Sequence, residues 1–156
     1  MSVFAVVAAR QASSNLPLFV HVVGAMILVA GLITGTAALF FAKGDEKLLR
    51  LGFWSLMLVS FPGWVIMRIG AQWINSKEPW KDVPKTPIWL GIGYLVADVG
   101  GLVLVVSLIV GGIGVYRMRD GKGVGLLKAT LVLSVVLLAA YLIAVWAMAG
   151  KPGLGP

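Results

Sequence analysis

The chain has 156 residues, of which 60% are hydrophobic and only 12% charged, with a net charge of +7 and no cysteine. A soluble domain carries about twice that charged fraction, so the solvent for this much apolar surface has to be lipid. The missing cysteine excludes disulfides, thiolate metal sites and cysteine nucleophiles, and the positive charge does not point to nucleic acid, because Lys and Arg fall in the breaks between apolar runs, as membrane-flanking charges do.

The N-terminus, MSVFAVVAAR, is apolar but has no basic region ahead of a short apolar stretch, which is not the pattern of a cleaved leader. Ser2 to Ala9 reads as an interfacial segment or a frayed helix. Four runs then follow that meet the ~20 apolar residues a spanning helix needs. They are Pro17–Ala42, Leu48–Ile74, Ile88–Tyr116 and Leu126–Ala149. None alternates as a barrel strand would, and a helix satisfies its own backbone groups in lipid. The expected fold is therefore all-α: a single membrane domain, polytopic, with four transmembrane helices in an antiparallel bundle.

Helix signals mark the ends. Pro17 and Pro87 suit a first helical turn, where a missing N–H is no loss. Asp45 can cap the second helix, and Gly150 and Pro152 end the fourth. Pro62-Gly63 inside the second run predicts a kink. Short loops make consecutive helices antiparallel neighbours. No internal repeat, coiled-coil heptad or low-complexity tract is evident.

Orientation follows the basic residues. Lys43, Lys47, Arg50, Arg117, Arg119, Lys122 and Lys128 lie on one side; Arg10, Lys77, Lys81, Lys85 and Lys151 lie on the other. This bias puts the first group in the cytoplasm and both termini outside. Trp73, Trp80, Trp89 and Trp146 then gather near the outer interface and Trp54 near the inner one.

Small residues let transmembrane helices approach closely. The first span has Gly24, Gly31 and Gly35 with Ala38 along one stripe. The third has Gly93, Ala97 and Gly101 at four-residue spacing, plus Gly91 and Gly100, and the fourth has Ala140, Ala144 and Ala147. These faces serve packing, either within the bundle or between chains.

Away from the ends, the spans hold three ionisable groups: His21, Arg68 and Asp98. Charges at mid-bilayer face the bundle interior and pair. Counting along the helices places Arg68 roughly 9 Å and Asp98 roughly 15 Å below the same membrane face, with His21 about one turn below it. Side chains lean toward their helix N-terminus, so Arg68 and Asp98, on opposed helices, lean toward each other. An Arg68–Asp98 ion pair is expected, with Gln72 and Tyr94 one turn away to complete its hydrogen bonds and His21 looking into the bundle.

Little else carries chemistry. One histidine excludes bis-histidine haem, leaving His21 with Met67 or Met26 as weak metal candidates. No cofactor is expected. Ser55, Ser60, Ser107 and Ser134 are scattered and form no nucleophile set. The glycine-rich stretch 120–125 lacks the spacing of a phosphate loop and reads as a cytoplasmic turn. The loop 75–87 mixes Trp80 with charges and prolines, as an interfacial anchor, a lid or a docking surface would.

The segment LFVHVVGAMILVAG, Leu18 to Gly31, resembles the first span of uncharacterised bacterial integral membrane proteins and, more distantly, of the copper-resistance D type. There a histidine near the helix start is followed by Gly-Ala and a later glycine, matched here by His21, Gly24-Ala25 and Gly31. The resemblance implies a bacterial inner-membrane location.

The functional expectation is a non-enzymatic membrane protein, an oligomer or accessory subunit associating through its glycine faces, with lipid and other membrane chains or its own copies as partners and no nucleic acid. The alternative is a small transporter or channel for protons, metal ions or a small solute, using the His21, Arg68 and Asp98 cluster.

Overall fold

The structure, a computed structural model, describes residues 3–77 and 88–150. These residues are almost entirely helical, and no strand occurs among them. Helix α1 is Val3–Phe41, α2 Glu46–Ser55, α3 Phe61–Lys77, α4 Ile88–Arg117 and α5 Val124–Gly150. A π-helical segment, Leu56–Ser60, joins α2 to α3, so these form one span, Glu46–Lys77. With Asn15–Phe41, Ile88–Asp120 and Val124–Gly150, four helices among the described residues are long and apolar enough to cross a membrane. The chain is an all-α, four-helix, multi-pass membrane protein. The expectations placed on Pro87, Pro152 and the Trp80 part of the 75–87 loop lie outside the described residues.

Three local features differ from expectation or sharpen it. Pro17 sits inside α1, not in its first turn. A proline interrupts the hydrogen-bond ladder once and crowds the preceding turn, but its ring is fully buried here, and packing holds the helix through it. Helix also runs from Val3 through the stretch read as interfacial or frayed. Around Pro62, the kink takes the form of a widened turn: the Phe61 N–H reaches back five residues to the Leu56 carbonyl. Widening the turn just before a proline relieves the clash of its ring with the carbonyl four residues earlier.

The short turns are built from specific residues. Asp45 caps α2, its carboxylate accepting from the Lys47 N–H at 2.8 Å. After α4, a 3-10 turn, Met118–Asp120, ends at Gly121 with φ 68°, and Gly123 follows at φ 117°. Both lie in the left-handed region that glycine enters without a Cβ clash, so the 120–125 stretch is a defined reversal.

Packing pairs the spans as two antiparallel hairpins, α1 with α2–α3 and α4 with α5. In the first, a Cβ at Gly24 would strike the Met67 backbone, one at Gly31 would strike Ser60, and one at Gly35 would strike Leu56; from the other side, Gly52 meets Leu39, Gly63 the Leu28 backbone and Gly70 the His21 backbone. In the second, Gly93 faces Met148, Gly100 faces Tyr141, Gly111 faces Thr130 and Gly114 faces Leu127. Each hairpin keeps a single register from end to end.

A seven-residue spacing emerges that the sequence reading missed. Gly93, Gly100, Ser107 and Gly114 recur at that interval on α4, as do Leu127, Ser134, Tyr141 and Met148 on α5. It escapes a heptad search because the repeating residues on α4 are small or polar, whereas a soluble seam repeats large apolar ones on both helices.

The interior is correspondingly unlike that of a soluble bundle. Ser60, Ser107, Thr130 and Ser134 are fully buried, while Phe19, Phe40, Leu95, Leu102 and Trp146 face outward. Only 28–33% of each span's apolar window is buried, leaving the rest to lipid. A layer of leucines, Leu28, Leu32, Leu56, Leu104 and Leu137, fills the centre.

Backbone contact at Gly63 and open space at Gly91 set a direct comparison. Gly63→Val is expected to destabilise the bundle by about 1–3 kcal/mol through overpacking, and Gly91→Val to leave it near wild type. Reversible unfolding in mixed detergent micelles, followed by tryptophan fluorescence, measures both.

Candidate functional site

The two hairpins meet where α1 packs on α5 and along a second seam between α2–α3 and α4. In one half of the membrane Phe53 fills it, packing against Gly111 and Gly112. In the other half the contact is polar. Trp64 lies over Gly101, where the absent side chain makes room for the indole, and its Nε1–H donates to the Ala97 carbonyl at 3.1 Å. One turn further along α3, Arg68 Nη2 lies 2.7 Å from Asp98 Oδ1. Above them the Tyr94 hydroxyl donates to Asn75 Oδ1 at 3.4 Å. The seam is thus a ladder of Trp64, Arg68 and Asn75 on one span against Ala97, Asp98 and Tyr94 on the other.

The ion pair forms as the opposed lean of the two side chains predicts. Asp98 stands ten residues into α4 and Arg68 nine residues from the end of α3, so both lie about 14–15 Å from the same end of the bundle. The pair is not enclosed. Its side chains are 24% exposed at Arg68 and 59% exposed at Asp98. Asp98 therefore opens onto the outer surface of the bundle, among the exposed Leu95, Val99 and Leu102 of α4 and Ile69 of α3.

The other expected members of the cluster are placed differently. His21 does not join the pair. Its backbone packs on Gly70 and its Nδ1 lies 2.9 Å from the Met67 carbonyl. A carbonyl only accepts, so Nδ1 carries the proton. Gln72 is exposed and does not complete the hydrogen bonds of the pair, and Tyr94 bonds Asn75 instead. Gln72 is turned to the exterior and the Tyr94 hydroxyl is taken up by Asn75, so neither is directed at the pair. Of the metal candidates, Met67 meets His21 through its main chain, and Met26 is turned outward. No group of three His, Asp or Glu residues able to hold a metal ion is present among the described residues.

The packing positions resolve clearly. Gly24, Gly31, Gly35, Gly93 and Gly101 each meet atoms of another helix of the same chain, and Ala97 packs against the core. These faces are occupied internally and are not free for a second chain.

Three residues of the site were missed. Asn75, read as the start of the 75–87 loop, lies inside α3 and accepts from the Tyr94 hydroxyl. Trp64 supplies the seam's indole bond one turn before Arg68, a spacing visible in the sequence. Tyr141, 4% exposed on α5, packs on Gly100 within electrostatic reach of both Arg68 and Asp98. Its hydroxyl is buried with no hydrogen-bond partner among the described residues. Its signal was the antiparallel register, which needs the fold. Beside Gly100, a groove of about 190 Å³ between α4 and α5 is lined by Leu95, Val99, Val103, Val136 and Leu137; all are apolar, which suits an acyl chain and not a charged solute.

Comparison with known proteins finds no matching family model, no similar curated protein and no similar solved structure. The chemistry of the seam therefore carries the functional argument.

Removing one charge strands the other in a low-dielectric setting, whereas removing both does not. Asp98→Leu is expected to destabilise the protein by up to about 3–5 kcal/mol, the range for breaking a buried pair. Arg68→Leu combined with Asp98→Leu recovers most of that loss. A double-mutant cycle of unfolding in micelles measures the coupling.

Proposed function

We propose that this protein is a non-enzymatic subunit of a bacterial inner membrane that acts by assembling with a membrane chain, of the same or another sequence, through the outer face of α3 and α4. The observation that carries this reading is the half-open ion pair: Asp98 is 59% exposed at a depth where the surrounding side chains are apolar. An ionised group facing acyl chains is costly, and intramembrane charges that persist have polar partners or line a functional surface. Lipid tails offer no partner for a half-exposed carboxylate, and a neighbouring chain does.

The same geometry moves the association surface away from the glycine faces, which pack within the chain, to the face beside the seam. It gives less support to a flux pathway. The leucine layer fills the bundle centre, and His21 is bonded away from Arg68 and Asp98.

Extraction into nanodiscs followed by native mass spectrometry tests the proposal. The wild-type chain is expected to retain at least one further protein chain. Asp98→Ala is expected to weaken that association roughly thirty-fold or more, matching the ~2–5 kcal/mol cost of truncating one member of a hydrogen-bonded charge pair at an interface. A wild-type chain that travels alone with lipid overturns it.

A further inference from the structure

Resting on the assembly reading above, we infer that the chain covering the Arg68–Asp98 face is a second copy of this protein, related by a two-fold axis along the membrane normal, and that each copy completes the other's ion pair.

The face is self-complementary in charge. It presents one cation and one anion, side by side and at one depth. Arg68 engages Asp98 Oδ1 through Nη2, and a guanidinium has five N–H donors in a planar fork. Asp98 is the more exposed partner, and an ionised carboxylate has about four acceptor sites, more than one such contact uses. Each half of the pair therefore holds unused capacity of opposite sign.

Membrane geometry then narrows the operator. Copies inserted with the same topology are related by rotation about the membrane normal, and the isologous dimer is the two-fold case. Such a rotation leaves depth unchanged. It carries a site 14–15 Å from one end of the bundle onto a site at about the same depth in the partner, and it brings Arg68 toward Asp98 of the partner subunit and Asp98 toward Arg68 of the partner subunit. The four charges close into an alternating ring with no net charge. A foreign chain would have to carry both an acid and a base at this one depth; a second copy supplies them by symmetry. The rim is already suitable, since Leu95, Val99 and Leu102 of α4 and Ile69 of α3 are exposed around the pair.

The absence of cysteine in the whole chain makes the test clean. Leu95→Cys and Leu102→Cys, single variants that keep the ion pair, are oxidised in native membranes. Both are expected to give a band of twice the chain mass. Met26→Cys, exposed on α1, which does not share the seam, is expected to stay monomeric. Charge inversion separates contact between chains from contact within one. Asp98→Arg presents two cations and Arg68→Asp two anions, so each alone is expected to give no dimer above background. Co-expressed under different tags, the two are expected to capture each other.

Crosslinks from Leu95→Cys and Leu102→Cys only to masses other than the chain's own overturn the second copy and leave the assembly reading standing. No crosslink at either position overturns the second copy but not the assembly, because a foreign chain need not carry a thiol there; the assembly reading is then decided by the native mass of the wild-type complex. Dimers that form equally well from each inverted variant alone overturn the charge ring.

Discussion

Backbone contact between antiparallel helices is the constraint on which this structure depends. Lipid gives helices no hydrophobic reason to associate, so attraction comes from atoms brought within van der Waals range. That range is reached only where no Cβ stands between the two backbones. Gly24, Gly63 and Gly70 lie against the main chain of the facing helix, and the neighbouring positions follow in the same register along the whole hairpin. A single register is what these small residues impose: sliding the helices by one residue brings Pro62 or Trp64 to the place of Gly63 and Ile92 or Tyr94 to the place of Gly93. The internal use of these glycines also leaves the outer surface of the bundle to large apolar residues, as a lipid-facing surface requires.

Between the hairpins, the arrangement changes character. The seam of α2–α3 on α4 has fewer close backbone approaches and relies on an aromatic at each end, Phe53 against Gly111 and Trp64 against Gly101, with the Trp64 indole bond and the Arg68–Asp98 bond beside it. Directional bonds serve where shape complementarity alone leaves the relative rotation of two hairpins open. They bring an exposure with them, because a pair at the rim of a seam is half uncovered. The same bond across this seam thus creates the one charged opening on an otherwise apolar flank among the described residues.

The hydroxyls inside the bundle fit this account. Ser134 and Thr130 donate to carbonyls one turn back on their own helix, and Ser55 donates to the Gly31 carbonyl across the α1–α2 contact at 3.1 Å. A serine is small enough to stand in for glycine at a packing position, and the backbone absorbs its donor. Ser107, at the centre of the α4 repeat, and Ser60, against Gly31, occupy packing positions too, but their buried hydroxyls have no hydrogen-bond partner among the described residues. Their placement follows the packing repeat and traces no separate polar path.

Much of this was legible in the sequence, for physical reasons that operate locally. Helix length is fixed by bilayer thickness, so apolar runs of the right size determine the four spans. The Asp45 cap and the disturbance at Pro62 depend on neighbours a few residues away. Even the Arg68–Asp98 bond was readable, because rise per residue and side-chain lean set depth and direction before any partner is known. What the tertiary structure alone decided was rotation about each helix axis. Depth says that His21, Gln72, Tyr94 and Tyr141 share a half of the membrane with the pair; rotation decided that His21 turns to the Met67 carbonyl, Gln72 to the exterior, Tyr94 to Asn75 and Tyr141 onto Gly100. It also decided that the glycine stripes face inward and Asp98 outward. On helices that are apolar all round, hydrophobicity does not select a face, so rotation is set by the fit of small residues against a particular opposing helix, and that fit exists only once the helices have met.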